Sequence, residues 1–338
     1  MEILKIAEYT PIKSGGLEYY QVSPGVWGMK IVVVNIYIIA AGEEGGNSWI
    51  LVDAGLKGSG DKIKRMAEDI FGIGTKPTAI ILTHGHFDHV GALDELLELW
   101  DNPPIYAHYL ELPYLKGISS YPPPDPMVGG GLMSLMSFLY PKKPKNLGKS
   151  VHRLSTDGTL PGLADWRFIH TPGHAPGQIS LFRDIDRTLI AGDTFVTTKQ
   201  ESAFSVLTQK QVLSGPPKYF TMDWIAAKES VIKLLDLNPA VAATGHGYPM
   251  YGEDLIEALY KLAENFEESA VPTYGRYVKE PARANKNGVQ YIPKRVNNPQ
   301  LIAGAALFGM AMAFGVYLIV TNKSRKPAFN LSGLLPKV

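Results

Sequence analysis

The sequence contains no cysteine among its 338 residues. Disulfide bonds and thiolate metal sites are therefore excluded, although a chain without cysteine occurs in any redox compartment. The first residues, MEILKIAEYTP, include Glu2 and Glu8 and lack a sustained apolar core, so they do not predict a signal peptide. With 45% hydrophobic and 19% charged residues, the composition is typical of a globular chain with a large core and not of a disordered one.

Acidic residues are scarce in the C-terminal part of the chain. From Ala270 onward there are ten Lys or Arg residues and one acidic residue, Glu280, which gives 10 − 1 = +9. The first 269 residues hold 23 bases and 31 acids, which gives 23 − 31 = −8. This shift predicts a folded domain over residues 1–269, a basic linker over 270–300 and a basic C-terminal tail over 321–338.

Charge is absent from Leu301–Val320, LIAGAALFGMAMAFGVYLIV. As a helix with a rise of ~1.5 Å per residue, this segment would be ~30 Å long, the thickness of the hydrocarbon core of a bilayer. It is apolar on all sides, whereas a surface helix has a polar face. We therefore predict a C-terminal apolar transmembrane helix in preference to a buried core helix. Small residues at four-residue spacing, such as Ala305 and Gly309, allow close helix contact and a homodimer.

The basic linker indicates where such a protein would lie. We expect the basic linker to face anionic lipid and the large domain to lie in the cytoplasm. If residues 301–320 do not span a membrane, we expect a soluble cytoplasmic protein. No aromatic stacking pattern accompanies the basic residues, so the sequence does not predict nucleic-acid binding.

The large domain alternates predicted strands and helices. WILVDAG (49–55) and TAIILT (78–83) read as buried strands, and Ile63, Met66 and Ala67 mark a helix between them that ends near Gly72. QISLF and TLIAGD predict a strand pair, followed by a helix from about Asp223, a strand in AVAATGH and a last helix through Phe266. The pattern predicts a layered α/β fold.

Potential metal ligands are concentrated after these strands. The stretch THGHFDHVGAL carries four of them, and TPGHAPG, AGDTF and TGHGYP each add one beside a glycine. A lone histidine or aspartate is more often a structural residue, but the joint pattern favours a metal site, because imidazoles and carboxylates are what hydrolytic Zn²⁺ sites use. Two ions bridged by a carboxylate need about seven protein ligands. The seven candidates are His84, His86, Asp88, His89, His174, Asp193 and His246.

This arrangement resembles the metallo-β-lactamase-fold hydrolases, in particular their glyoxalase II and lactonase-like branch, over residues 22–266. The resemblance implies a four-layer αβ/βα sandwich. It implies a first metal bound by His84, His86 and His174, a second bound by Asp88, His89 and His246, and Asp193 as the bridge. Asp53 matches an aspartate that supports a ligand, although a turn residue at a strand end is an equal interpretation.

The resemblance also implies a mechanism. Two divalent ions, zinc ahead of iron or manganese, would convert a bridging water to hydroxide, with Asp88 orienting the nucleophile and moving a proton. We expect hydrolysis of an ester, thioester or lactone. Lactonases carry a tyrosine where this chain has Val196, and glyoxalase II a histidine where it has Gln178. The alternatives are a non-heme iron oxidoreductase resembling persulfide dioxygenases, a subclass B3-like β-lactamase, and an inactive membrane scaffold.

Two insertions, residues 108–149 and 197–220, are rich in Pro, Gly and aromatics and are candidate lids. Leu132, Met133, Leu135, Met136, Phe138 and Leu139 would suit an apolar acyl pocket for a small lipophilic substrate, or a small helix that completes the core. Candidate substrate contacts are His108, Tyr140, Lys199 and Tyr219.

Overall fold

The N-terminal half of the chain forms the larger of two main sheets. The computed structural model describes residues 9–42 and 47–304. Within these residues, eight strands form this sheet in their sequence order. They are β1 (Thr10–Ser14), β2 (Leu17–Ser23), β3 (Val26–Ile31), β4 (Val34–Ala41), β5 (Ser48–Val52), β6 (Ala79–Ile81), β7 (Ile105–Ala107) and β8 (Val151–Arg153).

The α-helices of the described residues differ greatly in length. They are α1 (Gly60–Phe71), α2 (Leu93–Leu99), α3 (Leu112–Leu115), α4 (Leu132–Leu135), α5 (Ala203–Thr208), α6 (Trp224–Leu235), α7 (Gly252–Glu264) and α8 (Phe266–Ser269). The predicted helix after the first buried strand is confirmed, because α1 turns Ile63, Met66 and Ala67 into the core. The predicted last helix is divided at Asn265 into α7 and α8.

Strand direction within the large sheet determines where loops emerge. Strands β1 to β5 pair antiparallel, whereas β5 to β8 run parallel. Parallel neighbours require a crossover, and α1 and α2 supply the first two. The segments that follow β5, β6 and β7 therefore emerge at the same edge, which brings Asp53, the ligand loop after Ile81 and His108 to one end of the sheet.

The second main sheet contains six strands within the described residues, in the order β14-β13-β12-β11-β10-β9. They are β9 (Thr159–Leu160), β10 (Leu163–His170), β11 (Ile179–Arg183), β12 (Thr188–Ile190), β13 (Val241–Ala243) and β14 (Met250–Tyr251). The predicted QISLF and TLIAGD pair is confirmed as β11 and β12, and β12 pairs parallel with β13.

Three apolar clusters define four layers. Ile50, Val52 and Ile81 face Leu181 and Ile190 between the sheets. On the outer face of the large sheet, α1 and α2 pack over Trp49 and Leu51, and on the outer face of the second sheet α6 and α7 pack over Leu189 and Ala242. The predicted αβ/βα sandwich is therefore observed, and its α/β class follows from helices covering both outer faces.

Both insertions fold into short helices. Residues 108–149 contain α3, α4 and two 3-10 turns, Pro126–Val128 and Met136–Leu139. Residues 197–220 contain α5. Leu132, Met136, Phe138 and Leu139 are exposed, with 41–63% of their surface accessible, so this apolar run faces outward.

The C-terminal division lies further along the chain than the charge shift suggested. Two compact units, Met1–Val296 and Asn297–Val338, are separated at residue 296 and not at 269. Most of the predicted basic linker is folded, because Tyr277 and Ala282 are buried and the hairpin of β15 (Arg283–Asn285) and β16 (Gly288–Tyr291) packs on Ser119. The segment folds despite its many basic residues, because the buried Tyr277 donates a hydrogen bond from its hydroxyl to the Pro123 carbonyl and so attaches the segment to the domain.

Within residues 9–42 and 47–304, no helix is both long and apolar enough to cross a bilayer. Residues 305–320, which form most of the predicted span, and the tail 321–338 lie outside the described residues. The C-terminal transmembrane helix, its lipid contact and the homodimer stay predictions.

Candidate metal centre

The ligand loop begins where β6 ends. Its backbone turns back on itself, because the amides of His89 and Val90 both donate to the carbonyl of His86. His84 precedes this turn, and His86, Asp88 and His89 lie within it. All four side chains are buried, the most accessible of them, Asp88, at 7%.

The first group of potential ligands consists of three imidazoles. The Nδ1 atom of His86 lies 3.0 Å from the Nε2 atom of His84 and 3.0 Å from the Nε2 atom of His174. His174 comes from the loop between β10 and β11, so the second sheet completes the group. Three converging nitrogens cannot all be satisfied by each other's protons, whereas a cation between them would use all three lone pairs.

Asp193 lies where the two sheets meet and is shared between groups. Its Oδ2 atom is 3.1 Å from His246 Nε2, 3.4 Å from His174 Nε2 and 3.7 Å from His89 Nε2. One carboxylate thus contacts imidazoles of both predicted metal sets, as a bridging ligand would.

The second group combines Asp88, His89 and His246, whose ligand atoms lie within 4.8 Å of one another. The Nε2 atom of His89 and the Oδ1 atom of Asp193 are buried and have no hydrogen-bond partner among the described residues. Unpaired buried atoms of this kind are costly. A bound cation would satisfy both atoms, so the donor set fits metal binding.

Asp53 orients His89 through Nδ1, the ring nitrogen that does not point into the cluster. Its Oδ2 atom accepts hydrogen bonds from His89 Nδ1 at 2.8 Å and from the Thr83 hydroxyl at 2.7 Å, and its Oδ1 atom accepts from the Thr83 amide. With the proton on Nδ1, the Nε2 lone pair of His89 points into the cluster. Between the two interpretations of the sequence, the structure therefore favours ligand support.

Three further imidazoles are oriented in the same way, whereas His86 directs its Nδ1 atom into the cluster. His246 Nδ1 donates to the Val33 carbonyl at 2.6 Å, His84 Nδ1 lies 3.1 Å from the Thr83 hydroxyl, and His174 Nδ1 lies 3.3 Å from the Thr221 hydroxyl. The Val33 carbonyl can only accept, and the Thr83 and Thr221 hydroxyls already donate to Asp53 and to the Pro217 carbonyl. Each partner therefore favours a proton on Nδ1 and leaves Nε2 free for a metal.

Burial dominates the electrostatics of the first group. It lowers the pKa of His174 to about 4 and the pKa values of His84 and His86 well below the usual 6.5, and neighbouring imidazoles lower the latter two further. These side chains are neutral at neutral pH. Neutral imidazole is the form that binds a metal.

Carboxylates dominate the second group. Burial acts to lower the pKa values of His89 and His246, but nearby carboxylates raise both above the usual value. Asp53 and Asp193 raise the pKa of His89, and Asp193 raises that of His246. Burial acts to raise the pKa of Asp193, but His246 and His89 hold it well below its usual value. The group therefore attracts positive charge, which protons or a bound cation can supply.

Glycine at 245 lets the second sheet approach the cluster. A Cβ atom there would lie 2.0 Å from Asp193 Oδ1 and 2.9 Å from His89 Cε1. Any side chain would therefore displace two potential ligands, which is the close backbone approach for which glycine is suited.

Glu111 connects two ligand loops and was not identified from the sequence. Its Oε2 atom accepts from the Gly85 amide at 2.9 Å and from the Tyr121 hydroxyl, and its Oε1 atom accepts from the Gly177 amide at 2.7 Å. Burial raises its pKa to about 7, although these donors act in the opposite direction. No motif marks this residue, because it lies in the insertion and its partners are distant in sequence.

The predicted substrate contacts occupy different places. Tyr140 is half-buried, with its ring 5.6 Å from that of Phe87, and Tyr219 is buried, with its ring 5.5 Å from that of Tyr140. Both lie beside the cluster. His108 instead stacks on His170 at 4.1 Å, and Lys199 is exposed and lines a separate cavity with Val212 and Lys218.

Comparison with known proteins identifies the family. The family model described as metallo-beta-lactamase superfamily matches residues 30–246, a stretch that includes all seven potential ligands. The chain belongs to this superfamily. A probable metallo-hydrolase of Bacillus subtilis, YflN, is 44% identical over 75% of this chain and 95% of its own length, and a second, YybB, is 31% identical over 62% and 81%.

A metallo-beta-lactamase of Erythrobacter litoralis, solved with beta mercaptoethanol in its active site, superimposes with a TM-score of 0.51 at 18% identity, covering 76% of this chain and 100% of its own. At that identity the likeness concerns the fold alone. Together with the ligand cluster, superfamily membership makes this chain a metal-dependent hydrolase.

Proposed function

We propose that this protein is a dinuclear hydrolase that cleaves an ester, thioester or lactone. His84, His86 and His174 would hold one divalent ion, Asp88, His89 and His246 a second, and Asp193 would bridge them. The observation that carries this proposal is the position of Asp193 Oδ2, within 3.7 Å of imidazoles from both groups. Zinc suits the donor set, because borderline-soft Zn²⁺ binds neutral imidazoles and carboxylates with low coordination numbers.

When bound, two such ions lower the pKa of a shared water towards neutrality and polarise a carbonyl oxygen. The protein's own residues then handle protons and orientation. Asp88 is buried, with its Oδ2 atom 3.6 Å from His246 Nε2, so its carboxylate can receive a proton from the attacking water and pass it to the leaving group.

Tyr140 supports binding of the reacting group. Burial, together with Asp88, raises the pKa of its hydroxyl to about 12, so it remains a hydrogen-bond donor at neutral pH. That hydroxyl donates to the Met133 carbonyl. In the proposed complex it would donate to a substrate oxygen instead.

Metal content and substrate preference test the proposal together. We expect protein purified without added metal to contain about two zinc ions per chain and to hydrolyse an ester, thioester or lactone. Asp193→Ala should lose both the second ion and turnover, while Asp61→Asn, an exposed position in α1, should retain both.

Two other outcomes would contradict the proposal. One iron per chain with oxygen consumption would indicate the oxidoreductase alternative. Cleavage of β-lactams without turnover of simple esters would indicate the subclass B3-like alternative.

A further inference from the structure

A cavity of about 450 Å³ opens beside His86, one of the three imidazoles of the first group. His86 forms part of its wall, together with the neighbouring Gly85 and Phe87. The other walls come from the loop after β5 and from two proline-rich parts of the 108–149 insertion. This size suits a small organic ligand, and its wall includes a candidate metal ligand.

The inner part of the cavity is apolar. Phe87, Val90 and Phe220 line it, together with Pro122 and Pro124. The ring of Phe220 stacks on that of His86, with 4.4 Å between centroids and 27° between planes. An apolar segment of a substrate would therefore lie directly beside a metal ligand.

The rim of the cavity is basic. Lys57, Lys142 and Lys143 line it and are exposed, and among the described residues no carboxylate lies within 4.0 Å of their ammonium groups. Lys145 differs, because its ammonium group pairs with Asp94 at 2.6 Å. Among the residues that the structure describes, no acidic side chain lines this cavity. Three cations without counter-ions beside an apolar wall form a surface for an anion attached to a hydrocarbon segment.

We propose that the substrate is an anionic acyl ester or thioester, with its acyl segment against Phe87 and Phe220 and a carboxylate or phosphate at Lys57, Lys142 and Lys143. The inference rests on the proposed hydrolase function and names the substrate class. In the reaction, water forms a new bond to the acyl carbon, the bond from that carbon to oxygen or sulfur breaks, and a proton passes to the leaving group. Water is the sole co-reactant.

Two esters of equal shape test the inference. One is mono-para-nitrophenyl adipate, and the other is the uncharged ester in which an isopropyl group replaces the terminal carboxylate. For the zinc-loaded protein at low salt, we expect kcat/KM to favour the anionic ester by roughly 10-fold, mainly through KM, and the ratio to fall as salt is added.

Substitution of the rim should reduce this preference. In the double variant Lys142→Met with Lys143→Met, the ratio should fall towards one, because only Lys57 of the three cations remains. In Lys286→Met, an exposed lysine in the β15–β16 turn, it should stay at the wild-type value. Equal kcat/KM for the two esters, or a ratio that the double variant does not change, would overturn the inference.

Binding separates this inference from the hydrolase proposal. The two para-nitroanilides with the same acyl groups resist cleavage, so their binding can be measured by calorimetry. In the wild type, the anionic anilide should bind more tightly than the uncharged one. In the double variant, this difference should be much smaller. If this difference appears while neither ester is hydrolysed, the anionic cavity is supported and the hydrolase proposal fails. If both esters are hydrolysed and the anilides bind equally, the inference fails while the hydrolase proposal is supported.

Discussion

Asp53 shows how one side chain orients a candidate metal ligand without being one itself. Its backbone has φ of 62°, a left-handed conformation that aspartate and asparagine tolerate better than most residues. That conformation aims both carboxylate oxygens at donors, with Thr83 on one side and His89 on the other. The strand-end position is thus what makes the ligand-supporting role geometrically feasible.

Replacing Asp53 by asparagine should weaken metal binding without unfolding the protein. Asparagine keeps the size and the backbone conformation, but its NH₂ group would face a donor where the carboxylate accepts. We expect zinc affinity to fall ~10- to 100-fold, the usual effect of losing such a partner. Titration with a competing chelator measures this, with Asp61→Asn as the matched control. Unchanged affinity in Asp53→Asn would contradict the role.

At the scale of elements, the centre depends on loops from both sheets. The ligand loop follows β6, His174 precedes β11, Asp193 follows β12 and His246 follows β13. The hydrogen bond from the Gly245 amide to the Gly192 carbonyl joins two of these loops. Glu111 joins two others through Gly85 and Gly177.

Replacing Glu111 by glutamine should loosen the two loops that it joins. The amide nitrogen of glutamine would oppose a backbone donor, which leaves one buried donor unsatisfied at a cost of ~1–3 kcal/mol. We expect lower thermal stability together with a lower zinc affinity, because His86 and His174 lie on the two loops. Glu98→Gln, on the exposed face of α2, is the matched control.

A second variant separates positioning from simple loss of stability. Tyr121→Phe removes one donor to Glu111 and leaves both backbone bonds. Its zinc affinity should stay near that of the wild type. A Glu111→Gln protein with reduced stability and unchanged zinc affinity would show that the residue stabilises the fold without positioning the ligands.

At the scale of the whole molecule, acid should destabilise the fold through His108. Burial, with a further contribution from His170, lowers the pKa of His108 to about 3, against 6.5 for an ordinary histidine. Below pH 6.5 the unfolded chain takes up a proton that the folded chain rejects, so this contribution to stability falls between pH 6.5 and 3.

Removing this imidazole should reduce the acid sensitivity. In His108→Phe, which keeps a ring that can stack on His170, the fall in Tm between pH 7 and pH 4 should be smaller than in the wild type. His152→Phe, on an exposed position of β8, is the control and should behave like the wild type. Parallel Tm curves for wild type and His108→Phe would contradict the prediction.

Metal removal should also destabilise the whole molecule. Binding at 1,000 times the dissociation constant stabilises a fold by ~4 kcal/mol, which corresponds to roughly 10 °C in a domain of this size. We expect chelation to lower Tm by that order and added zinc to restore it. Asp193→Ala should show a much smaller response, because its remaining ligands cannot hold a bridged pair. An identical response in both proteins would contradict the bridging role.

Much of the candidate site was predictable, because its potential ligands are conspicuous in sequence. Four of them occupy six positions after a strand, and the others follow strands beside glycine, so local chemistry and strand order placed all seven in one region. The predicted strand pair and α1 are confirmed for a similar reason, since their apolar periodicity and turn residues are local signals.

The apolar run in the 108–149 insertion shows where local signals fail. Its residues suited an acyl pocket by composition, yet Leu132, Met136, Phe138 and Leu139 are exposed, and none of them lines the cavity beside His86. Whether an apolar side chain faces a cavity or the solvent depends on how the insertion packs on the domain. Neighbouring residues in the sequence do not determine that packing.

The sequence by itself determined the ligand types, the absence of thiolate chemistry and the alternation of strands and helices, because each is a property of neighbouring residues. Tertiary structure alone decided that Asp53 accepts a hydrogen bond from His89 and that Glu111 joins two loops. It also decided that Lys57, Lys142 and Lys143 line the same cavity. These contacts join residues far apart in the chain, and they exist only once packing of the two sheets and the insertion has brought those residues together.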